Sequence, residues 1–477
     1  MSSEVMTHEN WARLHVARRV SDIAKSMIKL SRLGRSIFPT PSHPLRGGEE
    51  LAARLKVSEA SCVRTRTAKA YPRNLGCARP MNPRATVIDA QRASPEQVSA
   101  FRLSRHHLVK RASASALAQV AGDMAGVQAQ VLSAAQISLW ARTRGLSADD
   151  VENALWRDRT LVKSWCIRGA LHIIPSKDFA VFVRGGDRRN ARSTAWLVRA
   201  RMPIEAVDRL VEAMRDGLDR PLTRSEIAER ITASLGIKSV EKSHRGWGGT
   251  STATGFRIAG KMLSLDGIVF LACLRGLACF GPARGAQATF VRPEKWLPDW
   301  NDLPVEKAEL ELLRRYLRAH GPATVRDFAL WTYMTAPDSR EIWARLEPEM
   351  APVDVDGRIG WVLREDLPAL RRSKLDEPVI RLLPSFDAFL LGVKDKSHLV
   401  DLAHYKRVYR PQGWLSPVVL VDGRVVGVWS HERKGDRLSV RITPFSRLSP
   451  MVRSHIREEA DDLGRFFGAR GRSIRFS

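Results

Sequence analysis

Two glutamines separated by one residue, Gln128 and Gln130, lie in the run from Gly126 to Val131. Their apolar neighbours fit a strand or an extended turn, in which alternate side chains project to the same side. Two converging amides can hold a water molecule or contact a base edge, because each amide both donates and accepts hydrogen bonds without carrying charge. On these residues alone an ordinary surface pair is the simpler interpretation, because Gln-x-Gln is common by chance.

The segment that follows the two glutamines is expected to hold them in place. From Leu132 to Trp140 the apolar spacing predicts an amphipathic helix, and Arg142 and Arg144 give it a basic end. These two arginines are candidates for phosphate contacts, with a solvated basic face as the alternative interpretation.

The charge balance of the whole chain favours a polyanionic partner. The 477 residues contain 78 Lys and Arg against 51 Asp and Glu, a formal net charge of +27. Nucleic acid is the first candidate for such a partner and an anionic membrane surface is the second. No uncharged apolar run reaches the roughly 18 residues of a membrane-spanning helix. The five cysteines form no CxxC pair and no Cys/His ligand spacing, so no zinc or iron–sulfur site is predicted and a reducing cytoplasmic compartment is expected.

The first 97 residues differ in texture from the rest. Residues 1–97 combine a short basic stretch of helical spacing with a segment rich in Pro, Ser and Arg. We expect a basic, largely disordered N-terminal extension, and an arm that adds DNA affinity is the functional alternative.

From residue 98 onward, one unit recurs: a helix, a short helix with a polar N-cap, a longer helix and a two-stranded segment. Ser147, Thr223 and Thr324 are the predicted N-caps of the short helices in the three copies. In the second copy we expect a helix over 256–265 and a strand over 268–271.

After residue 375 the pattern becomes β-rich. Asp422-Gly423 is a hairpin turn signal in this region, as Asp356-Gly357 is in the third copy, and a helix from Ser449 to Phe466 is expected to cover the final sheet. The pattern predicts an α+β fold of three tandem winged-helix domains and a C-terminal β-rich, barrel-like domain. The predicted boundaries are 98–198, 203–298 and 304–372 for the winged helices and 376–477 for the last domain.

Four motifs, in this order, resemble those of the AlkZ-like winged-helix DNA glycosylases, which include the YcaQ type. The motifs span Gly126 to Gly145, Trp165 to Pro175, Leu383 to Gly392, and Val421 to Trp429, and the resemblance covers roughly residues 100 to 470. It implies that the Gln-apolar-Gln motif is catalytic, as in the branch whose known member unhooks DNA interstrand crosslinks; a sister branch has Asp in the second place. The chain departs at Ala170, where Thr is common, and at Lys396, where Arg is common.

The chemistry of such a reaction suits two amides. Hydrolysis of an N-glycosidic bond needs a water molecule near C1′ and a leaving base that accepts the bonding electrons. A purine alkylated at N7 or N3 is already cationic and departs as a neutral molecule. A strong general base is then unnecessary, and neutral amides can place the water and stabilise an oxocarbenium-like sugar.

Other candidates could line the lesion pocket or contact DNA. Arg168 and His172 lie four residues apart, and the alternative is a packed hairpin in which Arg168 pairs with Asp178 and His172 caps the turn at Pro175. Asp387 can orient a polar group in the pocket or be an ordinary turn residue. Arg245 and Trp247 offer phosphate contact or base stacking, with an exposed loop as the alternative.

These observations lead us to expect a monofunctional DNA glycosylase that removes bulky or crosslinked N-alkylpurines without metal or cofactor. Its expected partner is double-stranded DNA with alkylation or crosslink lesions, and it is expected to be a monomer in the bacterial cytoplasm, associated with the nucleoid. A non-catalytic tandem winged-helix regulator is the alternative, which would need base-reading side chains on a recognition helix and usually dimer symmetry. An enzyme would instead have a pocket at the glutamine pair.

Overall fold

The computed structural model describes residues 90–187, 194–246 and 249–477, and the side chains of these residues except 244–246, 249–252 and 412. Within these ranges the chain has a mixed α+β fold, as predicted. Residues 1–89 of the predicted N-terminal extension lie outside the described residues.

Helices and strands alternate along the whole described chain. The helices are α1 (Pro95–Arg105), α2 (Leu117–Asp123), α3 (Leu132–Trp140), α4 (Ala148–Trp156), α5 (Phe179–Arg184), α6 (Ala195–Arg199), α7 (Ile204–Gly217), α8 (Arg224–Leu235), α9 (Leu265–Leu274), α10 (Pro293–Trp296), α11 (Val305–His320), α12 (Val325–Thr332), α13 (Ala336–Leu346), α14 (Leu367–Arg372), α15 (Ala388–Leu391), α16 (Tyr405–Val408) and α17 (Pro450–Phe466). The strands are β1 (Gln91–Arg92), β2 (Ala112–Ser113), β3 (Val127–Gln128), β4 (Thr143–Arg144), β5 (Leu161–Trp165), β6 (Leu171–Pro175), β7 (Leu222–Thr223), β8 (Ser239–Gly246), β9 (Gly249–Ile258), β10 (Lys261–Ser264), β11 (Cys279–Arg284), β12 (Gln287–Val291), β13 (Met350–Val355), β14 (Arg358–Leu363), β15 (Ile380–Leu383), β16 (Val418–Val421), β17 (Arg424–Lys434), β18 (Arg437–Pro444) and β19 (Gly471–Phe476).

In the described part of the chain, one element order occurs three times: a helix, a short extended segment, two helices and a hairpin. The first unit runs from α2 through β3, α3 and α4 to the hairpin β5–β6, and its sheet has the order β3-β6-β5. The second runs from α7 through β7, α8 and α9 to β11–β12, with the order β11-β12-β7, and a separate sheet of order β10-β9-β8 is inserted between α8 and α9. The third runs from α11 to β13–β14, and the bridge between Ala323 and Trp361 takes the place of the short strand. The Gln-Ala-Gln segment therefore begins in the edge strand of the first unit.

The local signals at helix starts and tight turns are confirmed. The side chains of Ser147, Thr223 and Thr324 each accept a hydrogen bond from the backbone N–H three residues on and complete a capping box. Asp356-Gly357 has φ of 50° and 78°, and Asp422-Gly423 has φ of 49° and 85°. Positive φ at both central residues is the signature of the turn that matches the twist of a two-residue hairpin.

The predictions for residues 256–265 and 268–271 are wrong, and the two element types are exchanged. Strands β9 and β10 pair about a turn at Ala259 and Gly260, whose φ values are 47° and 77°. Ser264 then caps α9 by accepting a hydrogen bond from the backbone N–H of Gly267. The residues of α9 are almost all buried, and a short continuous apolar run does not reveal by periodicity whether it is a strand or a buried helix.

The C-terminal sheet is open, so the barrel-like closure expected from sequence is not observed. Its order is β15-β16-β17-β18-β19, which leaves β15 and β19 at opposite edges. Strand β19 was not predicted, and it joins β18 in parallel after α17. Helix α17 contacts both edge strands. The helix therefore covers one face of the sheet, and the two edge strands, β15 and β19, do not pair with each other.

The predicted boundary of the N-terminal extension at residue 97 lies too far along the chain. Strand β1 pairs in parallel with β13. The side chain of Ser94 caps α1, and Gln97 completes the capping box. Gln97 also donates from Nε2 to the carbonyl of Arg371 (3.1 Å), whose Nε donates to the side chain of Gln91 (2.8 Å). Residues 91–97 are thus part of the fold.

A fully buried ion pair fixes α3 to the C-terminal region. The guanidinium of Arg142 forms two hydrogen bonds to the carboxylate of Asp387, at 2.7 and 2.8 Å, and both side chains have 0% exposure. Asp387 also accepts from Ser138 Oγ (2.7 Å) and from the backbone N–H of Phe389 (3.0 Å). Burial alone would raise the pKa of Asp387, but Arg142 and these donors hold it below its ordinary value. The carboxylate is therefore charged and saturated with donors.

We expect a chain that begins at Ala90 to be more stable than one that begins at Val98. The shorter chain lacks β1 and the N-cap of α1, and loss of a cap alone costs about 1 kcal/mol. Urea unfolding of the two chains measures the difference, and Ser94→Ala in the full-length protein isolates the contribution of the cap. Equal unfolding midpoints would show that residues 90–97 do not stabilise the fold.

Asp387→Ala should lower the free energy of unfolding by about 3–5 kcal/mol, because it leaves the buried charge of Arg142 without a partner. Arg144→Ala, at an exposed position two residues on, is the matched control, with an expected change below about 0.5 kcal/mol. The double variant Arg142→Met/Asp387→Leu should recover part of the loss, because it removes both charges. Urea denaturation followed by circular dichroism measures all three. An Asp387→Ala effect as small as that of the control would contradict a structural role for the pair.

Candidate active site

The two glutamines lie where the first unit passes from its edge strand into α3. Gln128 is the last residue of β3 and lies opposite His172 of β6. The backbone N–H of Ala129 continues the pairing by donating to the carbonyl of Leu171 (2.7 Å). Gln130 follows directly, two residues before α3, and both glutamine side chains are partly exposed. The extended conformation predicted for this segment is confirmed at β3.

Arg168 holds the side chain of Gln128. Its Nη2 donates to Oε1 of Gln128 (2.9 Å), and its Nη1 donates to the backbone carbonyl of Trp331 in α12 (3.0 Å). Arg168 and Gly169 both adopt left-handed backbone conformations, with φ of 59° and 65°, in the connection between β5 and β6. Asp178, the alternative partner for Arg168, instead pairs with Arg315 (3.0 Å). The geometry thus brings Gln128 and Arg168 together, and their role in a lesion pocket stays a prediction.

Gln130 differs from its neighbour in its contacts. Its amide makes no hydrogen bond with any group in the described part of the chain. Because the side chain is also partly exposed, both ends of this amide are available to a water molecule or a substrate.

His172 is almost fully buried, with 2% exposure. Its Nδ1 lies 3.0 Å from the carbonyl oxygen of Ala170. A carbonyl only accepts hydrogen bonds, so Nδ1 carries a proton. In the sheet register His172 lies opposite Gln128 on one side and opposite Ser164 on the other.

Lys396 brings a second cation towards this region from the C-terminal segment. Its Nζ donates to the carbonyls of Leu390 (2.8 Å) and Val393, and it lies 5.6 Å from the ring centroid of Tyr409. Burial, reinforced by the charges of Arg168 and Arg102, lowers the pKa of Lys396 to about 7. Trp331 and Lys396 are site neighbours that the residue patterns did not reveal, because only the tertiary fold places them near Arg168.

The other residues predicted to contact DNA differ in their exposure and in their partners. Arg142 is fully buried in its ion pair, so the predicted phosphate contact does not fit this side chain, and Asp387 is saturated by the same pair. Arg144 is exposed and is available to DNA. Arg245 belongs to β8, but its side chain lies outside the described residues, as does Trp247 altogether.

A surface segment between residues 402 and 414 was missed by the sequence reasoning. Its exposed side chains combine aromatic and basic groups: Tyr405, Lys406, Arg407, Arg410 and Trp414. Trp414 contacts Phe386, the neighbour of Asp387, with ring centroids 5.1 Å apart. Interleaved aromatic and basic residues are typical of nucleic-acid contact surfaces. This pattern in the sequence could have identified the segment as a candidate contact surface.

The described residues do not form a metal site or a membrane-spanning helix. No group of three or more His, Cys, Asp or Glu side chains is placed there to bind a metal ion. None of the described helices is long and apolar enough to cross a membrane. Two surface cavities, of about 490 and 220 Å³, are lined by the β1–β13 region and by residues around Phe179 and Arg275, and neither contains Gln128 or Gln130.

Comparison with known proteins supports the resemblance seen in the motifs. Residues 121–466 match the family model described as DNA glycosylase AlkZ-like. The interstrand DNA cross-link repair glycosylase of Streptomyces sahachiroi is 32% identical over 386 residues, which cover 79% of this chain and 97% of that protein. The solved structure of Streptomyces sahachiroi DNA glycosylase AlkZ has a TM-score of 0.67 at 29% identity, covering 81% of this chain and 100% of that one. The chain therefore belongs to the AlkZ-like DNA glycosylase family.

Proposed function

We propose that this protein is a monofunctional DNA glycosylase that hydrolyses the N-glycosidic bond of alkylated purines in double-stranded DNA. The proposed substrates include bulky or interstrand-crosslinked N7-alkylpurines, in DNA repair or in self-resistance to a genotoxin. The observation that carries the proposal is the pair of accessible glutamine amides at the end of β3, within the family match. The relative from Streptomyces sahachiroi, named as a cross-link repair glycosylase, supports the substrate class.

The chemistry of the pair supports cationic lesions over ordinary bases. Gln128 and Gln130 are neutral, so they can orient water but cannot remove its proton as a strong base would. An alkylated purine needs no such base, because cleavage of the glycosidic bond neutralises its charge. Amides that stabilise the sugar cation and place the water supply what this reaction still requires.

The surrounding architecture supports DNA as the partner. We propose that the three repeated units are winged-helix domains, within residues 98–198, 203–298 and 304–372, followed by a β-rich domain over 376–477. Their shared helix–strand–helix–helix–hairpin order supports that proposal, and the net charge of +27 supports a DNA-facing surface. We further propose that the protein acts as a monomer in the cytoplasm, associated with the nucleoid.

Gln128→Ala and Gln130→Ala should each slow single-turnover base excision by about 10²- to 10³-fold, the usual cost of one oriented polar contact at a transition state. Duplexes containing N7-methylguanine or an N7-linked interstrand crosslink serve as substrates, and alkali-labile abasic sites are counted over time. Gln287→Ala, at an exposed position of β12, is the matched control and should keep the parental rate. The proposal fails if both alanine variants bind the lesion duplex and excise at the parental rate, or if the parent protein forms no abasic sites.

Binding to undamaged duplex should weaken steeply with salt, because each phosphate contact contributes about 0.9 to the log–log slope. Lys406→Ala combined with Arg410→Ala should reduce that slope by about 0.9 for each phosphate that these side chains neutralise in the parent protein. The control is Lys374→Ala, an exposed lysine already paired with Asp376 (2.8 Å). Fluorescence anisotropy between low and physiological salt measures the slopes, and a parental slope near zero would rule out a phosphate-lined surface.

A further inference from the structure

We propose that Arg168 is a positioning residue that divides the work of the two glutamines: it turns Gln128 into a hydrogen-bond donor towards the substrate and leaves Gln130 to supply the acceptor for the attacking water. This inference rests on the proposed glycosylase function and assigns a different role to each amide.

The chemistry of the guanidinium decides the orientation of the Gln128 amide. A guanidinium carries donors only, so the atom that lies 2.9 Å from Nη2 of Arg168 must be the carbonyl oxygen of Gln128. Rotating the amide by half a turn would set its NH₂ group against another donor. One lone pair of the carbonyl oxygen is therefore taken by Arg168, and the amide nitrogen of Gln128 keeps both of its N–H groups for a substrate.

The fold in turn holds Arg168 in place. Its second guanidinium nitrogen donates to the carbonyl of Trp331 at 3.0 Å. Its backbone is fixed by the tight connection between β5 and β6, where Gly169 N–H donates to Cys166 and Ala170 N–H donates to Ile167. The backbone of Arg168 adopts the left-handed conformation in this connection (φ 59°). A side chain held at both ends is suited to orient a partner, because it loses little further freedom when the substrate arrives.

The attacking water needs an acceptor more than a donor. Its oxygen must direct a lone pair at C1′, so its protons must point towards acceptors. In the reaction, the glycosidic bond breaks with its electron pair passing to the alkylated base, which becomes neutral. The water oxygen forms the new bond to C1′, and the released proton passes to solvent. Gln130, whose carbonyl has no partner among the described residues, is suited to accept from this water. The N–H groups of Gln128 are suited to an oxygen of the sugar or phosphate, or to an acceptor on the leaving base.

Two near-isosteric variants separate the roles. Gln128→Glu keeps an acceptor for Arg168 but removes both N–H donors, so we expect excision of N7-methylguanine to slow by about 10²- to 10³-fold, as for Gln128→Ala. Gln130→Glu keeps an acceptor for the water, so we expect a rate within about tenfold of the parent. Single-turnover excision from an N7-methylguanine duplex measures both, with circular dichroism and duplex binding as checks on folding.

Variants of Arg168 test the positioning role directly. Arg168→Leu frees the amide of Gln128 to rotate and should lower kcat while leaving KM within about threefold. Arg168→Lys keeps a donor facing Oε1 and should restore most of the rate. Combining Arg168→Leu with Gln128→Glu should slow excision no further than Gln128→Glu alone, because both changes act through the same donor.

Other patterns of rates overturn the assignment. Equal rates for Gln128→Glu and Gln130→Glu, fast or slow, would show that the two amides are not divided into donor and acceptor. A fast Gln128→Glu with a slow Gln130→Glu would reverse their roles. If the parent excises N7-methylguanine and either pattern appears, this inference alone falls. If the parent excises neither N7-methylguanine nor a crosslinked base, the proposed function falls and takes this inference with it.

Discussion

The buried pair of Arg142 and Asp387 is the constraint on which the arrangement of the candidate site depends. Two charges without exposure are tolerated only when each is paired and hydrogen-bonded, and here Ser138 and the backbone of Phe389 complete the set. The pair fixes the C-terminal end of α3 against the segment that begins α15. Since Gln130 lies two residues before α3, this ionic contact limits how far the glutamine segment can move relative to the C-terminal region.

A second set of ionic contacts ties the end of α3 to α17. Arg111 bridges Glu459 and Asp462 of α17 at 2.8 Å, and its guanidinium lies 4.9 Å from the ring centroid of Trp140. The indole of Trp140 also donates to Asp462 (2.9 Å). The first unit is thus held to α15 and α17 by directional contacts, which set register more sharply than apolar packing does.

The proposed substrate is positively charged, which limits how much free positive charge its site can present. A cationic purine and a sugar with oxocarbenium character would both be repelled by free positive charge. Arg168 keeps its charge but directs its guanidinium at two carbonyl oxygens, and burial together with the charges of Arg168 and Arg102 lowers the pKa of Lys396 to about 7. Charge remains on exposed arginines such as Arg144 and Arg410, where it can meet phosphates instead.

The sequence by itself determined the local features: the N-caps at Ser147, Thr223 and Thr324, the hairpin turns, and the extended backbone at Gln128. Each depends on residues within a few positions of one another, so local chemistry suffices. The sequence patterns predicted the wrong element types over 256–271, because a short apolar run forms a strand or a helix according to the elements that bury it. Only the tertiary structure decided that Arg142 is buried and that Arg168 joins Gln128 to Trp331. Asp387 lies 245 residues from Arg142, and Trp331 lies 163 residues from Arg168. The sequence alone does not distinguish an arginine that faces solvent or phosphate from one that pairs with a buried carboxylate.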